Sequence, residues 1–186
     1  MRHDLHVYED DAGLAGPITP FLESGTAAGE PVVAVVDQRK WDVLAEALGA
    51  GANAITHIDR DAFYARPEAA LAGYDGTVRR HLRDGATAIR VFGELPICRA
   101  DAEWSPWIAY EAIFNRAFAH RPVWIMCGYD ARELPDFVLE SAWETHPDVL
   151  GGDALKRPAP EDVVRACTPA PAPLPAPQGL TVRLWV

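Results

Sequence analysis

Two kinds of apolar pattern alternate along this chain. Val32-Val33-Ala34-Val35-Val36 and Pro122-Val123-Trp124-Ile125-Met126-Cys127 are continuous apolar runs. Runs of this length predict strands covered on both faces. Ile89-Arg90-Val91-Phe92, ending at Gly93-Glu94, predicts another strand, as do Ala54–Ile58 and the short His6-Val7-Tyr8. Between them the apolar residues fall at helical spacing. Ile18, Phe21 and Leu22 share one face of a short helix over Pro17–Ser24. Trp41, Leu44, Ala45 and Leu48 make a second helix, closed by Gly49 and Gly51. Leu71, Tyr74, Val78 and Leu82 align on a helix over Pro67–Asp84 that stops at Gly85. Ser105-Pro106, a serine cap and a proline at the first helical position, opens a helix that runs to about His120. Leu134–Glu144 is the last helix.

Strands separated by helices of this length require crossovers, which gives an α/β fold: a three-layer sandwich around a mainly parallel central sheet. Sites in such sheets lie at the carboxyl ends of strands, where Asp37, Glu94 and Cys127 are expected to arrive. The pattern changes after Asp148. The expected division is a domain over 1–157, a proline-rich linker over 158–178 containing Thr168–Pro177, and a terminal strand over 179–186 that pairs with a sheet edge or docks a partner.

Composition narrows the function classes. The net charge is −10 and the pI about 5.0, the wrong sign for a nucleic-acid surface, and the densest basic patch is only Arg79-Arg80-His81-Leu82-Arg83. The first residues lack the apolar core of a signal peptide, and no apolar run reaches the ~18 residues of a membrane span. The three cysteines, Cys98, Cys127 and Cys167, are odd in number and widely spaced. They read as free thiols in a reducing, cytoplasmic setting.

The first strand–helix junction excludes one chemistry. A phosphate loop would follow Val32–Val36 with clustered glycines and Gly-Lys-Ser/Thr, but Asp37-Gln38-Arg39-Lys40-Trp41 stands there, and no G-x-x-x-x-G-K-[ST] occurs in the chain. The scaffold reads as RecA/KaiC-like with a degenerate phosphate loop, pointing to binding or sensing rather than turnover.

Several residues could carry a binding site. Glu94 closes a strand; it either faces a ligand or is bound by backbone or by an arginine such as Arg90. Trp107, Tyr110, Phe114 and Phe118 form an aromatic stripe with Glu111 and Asn115 on its margin, which is either a core face or a pocket wall. Cys127-Gly128-Tyr129-Asp130 offers either a reactive thiol or a small buried hydrophobe. His3-Asp4-Leu5-His6 could give two metal ligands, with Cys127 or Asp130 as a third. Without C-x-x-C or H-E-x-x-H spacing, however, no metal and no cofactor is assigned. His146-Pro147 reads as a helix-end cap. The expected ligand set is Glu94, Glu111, Asn115 and Tyr129 as polar anchors, Phe92, Trp104 and Trp107 as apolar wall, and Cys127 and His6 beside them. No catalytic motif is present.

In order along the chain, the residues that stand out are His6 with Tyr8; Pro20-Phe21-Leu22, Gly25 and Gly29-Glu30; Tyr74; Ile89-Arg90-Val91 with Gly93-Glu94; Tyr110-Glu111 with Asn115; Cys127-Gly128-Tyr129-Asp130; and His146-Pro147. This ordered set, over about residues 3 to 152, resembles the MEDS domain, named for methanogen/methylotroph and DcmR sensory proteins. The resemblance implies a KaiC/RecA-like α/β fold without nucleotide hydrolysis and a sensory role toward small, hydrophobic organic molecules. It also implies an output module. None follows the proline-rich segment here, so the chain is expected to stand alone or to act through a kinase- or regulator-type partner, a homodimer also being compatible. The competing expectations are a protein-interaction module and a small enzyme built on Cys127 or Glu94.

Overall fold

A computed structural model of the protein describes residues 1–96, 101–146, 148 and 149, with backbone alone at 101–103, 148 and 149. The strands are β1 (Arg2–Tyr8), β2 (Val32–Val36), β3 (Ile55–Asp59), β4 (Ile89–Glu94), β5 (Val123–Asp130) and the two-residue β6 (Asp148–Val149). The helices are α1 (Asp11–Ala27), α2 (Gln38–Leu48), the short α3 (Arg60–Phe63), α4 (Pro67–Arg83), α5 (Asp101–Phe118) and α6 (Asp136–Thr145). One sheet runs in the order β3-β2-β4-β5-β1-β6, and every pairing is parallel.

The continuous apolar strands have the predicted cause. Val33 and Val35 of β2 point into one layer with Val91 and Ile125, packed under Tyr74, Phe114 and Val138 of α4, α5 and α6. Val32, Ala34 and Val36 point into the other with Phe92 and Met126, packed under Leu14, Ile18 and Leu44 of α1 and α2. Burial on both faces leaves no room for a polar alternation. Gly49 and Gly85 end α2 and α4 with positive φ (54° and 94°), a conformation that other residues rarely adopt.

Some predicted bounds change. Helix α1 is 17 residues long and carries Pro17 and Pro20 inside it. Pro17 lacks the N–H that would satisfy the Gly13 carbonyl, and His6 Nε2 donates to that carbonyl instead, at 2.9 Å. Helix α5 begins at Asp101 rather than Ser105, so Pro106 is internal; the buried Trp104, whose Nε1 donates to Ser141 Oγ at 2.5 Å, anchors the extra turn. Strand β5 continues through Gly128-Tyr129-Asp130, so Asp130, and not Cys127, reaches the carboxyl end. The proline-rich segment, the terminal strand, Cys98 and Cys167 lie outside the described residues.

Candidate functional site

Strand parity divides the predicted site residues between the two faces of the sheet. In register, Phe92 and Glu94 of β4 lie beside Met126 and Gly128 of β5, and His6 and Tyr8 of β1 lie beside Gly128 and Asp130. That row faces α1 and α2. Cys127 and Tyr129 belong to the other row and face α5 and α6, together with Trp104, Trp107, Glu111 and Asn115. Glu94, Phe92 and His6 therefore lie across the sheet from the other six, of which only Glu111 and Cys127 line a chamber.

The first face carries a buried ionic cluster at the carboxyl ends of the strands. Lys40 Nζ donates to Glu94 Oε2 at 2.7 Å and to Glu133 Oε2 at 3.2 Å, and lies 3.5 Å from Asp130 Oδ2. The Tyr8 hydroxyl donates to the other Glu94 oxygen. Arg60 lies 4.0 Å from Glu94 and 3.1 Å from Asp37. Arg132 grips Asp130 with two nitrogens, at 2.9 and 2.7 Å. Burial raises the Glu94 carboxyl above its ordinary range, and Lys40 and Tyr8 work against that rise. Burial likewise opposes the Lys40 charge, but Glu94 and Glu133 outweigh it and hold the ammonium above the ordinary lysine value. Arg90, considered as the partner of Glu94, instead binds Glu30 at 2.9 Å and the Phe21 carbonyl at 2.9 Å. Gly128 makes the cluster possible: a Cβ there would lie 2.7 Å from Phe92 Cζ and 3.0 Å from Glu94 Cγ.

Sequence reasoning missed Lys40. The signal was present, because Lys40 occupies the position before Leu44 and Leu48 on the buried stripe of α2. A lysine on an apolar stripe needs a carboxylate inside. The first turn of α2 is also occupied by the chain's own anion, since Asp37 Oδ1 accepts from Lys40 N at 2.9 Å. A phosphate would compete for that position.

The second face carries a chamber between the sheet and α4 and α5. His3, Tyr64, Tyr74, Tyr110, Phe114 and Ile125 line it, with Glu111 and Cys127 at its polar end. Its free volume is about 10 Å³, room for about one water. Tyr64 and Tyr74 share a hydroxyl–hydroxyl bond of 2.5 Å, and a Cβ at Gly93 would lie 2.8 Å from both hydroxyls. His3 brings the polar end together. Its Nε2 is 3.1 Å from Cys127 Sγ and 3.4 Å from Glu111 Oε2, while its Nδ1 is 2.9 Å from Asn115 Oδ1. The predicted cap His146 sits at the end of α6 as expected; its Nδ1 donates to the Ala142 carbonyl at 2.8 Å, and its ring lies tilted at 44° with its centroid 4.2 Å from that of His3. His6, paired with His3 in the sequence reading, lies on the opposite face because the two are three residues apart on a strand.

Every titratable group here is held neutral by burial. His3 is pushed down to about 4, with Asn115 opposing the shift, and His146 falls well below its ordinary value. Glu111 is pushed up to about 8, and the Cys127 thiol is pushed well above its usual range. Cys127 is free and buried, and its neutral thiol is a poor nucleophile.

The profile of one protein family, MEDS (MEthanogen/methylotroph, DcmR Sensory domain), matches residues 2–147. No curated protein and no solved structure matches the chain.

Proposed function

This chain belongs to the MEDS family of sensory domains, and from that premise we propose that it binds a small, hydrophobic organic ligand in the tyrosine-lined chamber and signals its presence to a partner protein. The observation that carries the reading is the chamber's make-up. Three tyrosines, Phe114 and Ile125 form an apolar wall around a few converging polar atoms, the composition of a small-molecule site. His3, Glu111 and Cys127 place polar atoms at one end of the chamber, where a ligand hydroxyl or amine would find partners.

The small volume gives the reading its mechanism. A chamber of about 10 Å³ cannot take an organic molecule of several heavy atoms without expanding. Occupancy then favours an arrangement with α5 moved outward from the sheet, and a ligand shifts that equilibrium by its differential affinity for the two states. The outer faces of α5 and α6 carry Ile113, 52% exposed, and Trp143, 36% exposed. These are where a partner would read the shift.

Thermal-shift titration with short-chain alcohols, amines and halides tests the reading. A ligand should raise the melting temperature by mass action, Phe114→Leu should move the preference toward a larger ligand, and Glu94→Gln should leave the response unchanged. A response lost in Glu94→Gln and insensitive to Phe114→Leu would move the site to the ionic cluster. No response to any compound would remove the ligand reading.

A further inference from the structure

Four side chains from four separate elements converge beside the chamber: His3 from β1, Cys127 from β5, Glu111 from α5, and His146 at the end of α6. One donor atom from each lies within 4.8 Å of all the others, and all four residues are buried. The separations are 3.1 Å from His3 Nε2 to Cys127 Sγ, 3.4 Å from His3 Nε2 to Glu111 Oε2, and 4.0 Å from His146 Nε2 to Glu111 Oε2. Tetrahedral zinc, with bonds of ~2.0–2.3 Å, sets its donors ~3.3–3.7 Å apart. The three separations bracket that value.

The surroundings aim these atoms inward. Asn115 Nδ2 donates to the Thr145 carbonyl at 2.8 Å, so its oxygen must be the atom facing His3. His3 Nδ1 therefore carries the proton, and its Nε2 lone pair points into the cluster. His146 Nδ1 donates to the Ala142 carbonyl, which leaves the Nε2 lone pair of His146 pointing there as well. Metal-binding histidines are held in this way, one ring nitrogen on an oxygen acceptor and the other on the metal. His146 Nε2 and Glu111 Oε2 have no hydrogen-bond partner although both are buried.

We infer that His3, Glu111, Cys127 and His146 form a tetrahedral binding site for a zinc-class divalent cation. Two imidazoles, a thiolate and a carboxylate mix soft and hard donors, which suits Zn²⁺ better than Cu⁺ or Mg²⁺. The charges balance: the thiol and the carboxylic acid each release one proton on binding, and the resulting two negative charges neutralise the cation. The ion would tie α5 and α6 to β1 and β5. The inference does not rest on the ligand reading, but the two share His3, Glu111 and Cys127, so a bound ion would occupy the polar end of the chamber.

Metal analysis of the full chain after gel filtration tests the inference. The expected result is one zinc per chain. Replacement by Co²⁺ should give the visible bands of a tetrahedral ion together with a near-ultraviolet thiolate-to-cobalt band. Cys127→Ser should lose that near-ultraviolet band, Asn115→Leu should weaken cobalt binding by about 10–100-fold, and His57→Gln should change neither. Zinc well below one per chain, a cobalt spectrum without the thiolate band, or binding that is equal in wild type, Cys127→Ser and His146→Gln would overturn the site. The stoichiometry and spectrum of the wild-type protein decide the question even where a variant fails to fold.

Discussion

Lys40→Met should destabilise the fold by about 3–5 kcal/mol, the usual cost of breaking a buried ion pair by removing one partner. The Lys40 side chain is 2% exposed, and its ammonium is the near partner of Glu94 at 2.7 Å. Without it, the 4% exposed Glu94 carboxylate keeps only the Tyr8 hydroxyl and a guanidinium at 4.0 Å. Glu94 would then take up a proton, since burial already favours its neutral form, and this relief keeps the cost well below the full charge-burial penalty. The loss is large against a total of about 5–15 kcal/mol for an ordinary domain. Glu94→Gln alone should cost less, because Asp130 and Glu133 still hold the ammonium at 3.5 and 3.2 Å. The double variant should cost less than the sum of the two, since no unpaired charge remains. Urea denaturation of all four proteins at neutral pH gives the cycle. A Lys40→Met cost under about 1 kcal/mol, or strictly additive single effects, would refute the claim that the pair is buried and coupled.

Gly128→Ala should cost about 1–3 kcal/mol by overpacking, because its new methyl would meet Phe92 Cζ at 2.7 Å; urea melts check it. In metal-stripped protein, stability should fall as pH drops from about 6.5 toward 4. The folded state holds His3 neutral down to about 4 while the unfolded chain protonates near 6.5, so the unfolded state binds more protons in that window. The shift is worth about 3 kcal/mol for His3, and His3→Gln should flatten the slope in denaturant melts taken across that range. Deleting residues 168–186 should leave any ligand-induced thermal shift intact while abolishing association with a partner that docks on residues 179–186, read by titration calorimetry and pull-down.

The layered α/β architecture was legible because buried parallel strands leave continuous apolar runs, as at Val32–Val36. Helix α2 followed from its stripe and Gly49, and α4 from Pro67 and Gly85. Other bounds depended on tertiary partners that local pattern does not reveal. Pro17 reads as the start of a short helix, but α1 begins at Asp11, and His6 satisfies the Gly13 carbonyl that Pro17 leaves without a partner. Ser105-Pro106 reads as a helix start, but Trp104 is buried against Ser141 and carries the helix further back.

Glu94, Glu111 and Cys127 stand out in the sequence, but their division between the two faces of the sheet does not. Parity along β4 and β5 sends Glu94 and Cys127 to opposite layers, and linear order alone does not say how β4 and β5 register. The convergence of His3, Glu111, Cys127 and His146 depends on β1 lying beside β5. A separation of 124 residues between His3 and Cys127 hides that pairing. Lys40 could have been found from its place on the apolar stripe of α2.

Ile125 and Met126 are adjacent in β5 but face opposite layers, Ile125 the tyrosine chamber and Met126 the side of the ionic cluster. Their methyl resonances therefore offer the most direct test of a ligand in the chamber. On titration with a compound that raises the melting temperature, the account predicts that the Ile125 methyl signals shift and saturate while the Met126 signal stays in place. A saturating shift at Met126 with Ile125 unmoved, or no shift at either, would contradict it.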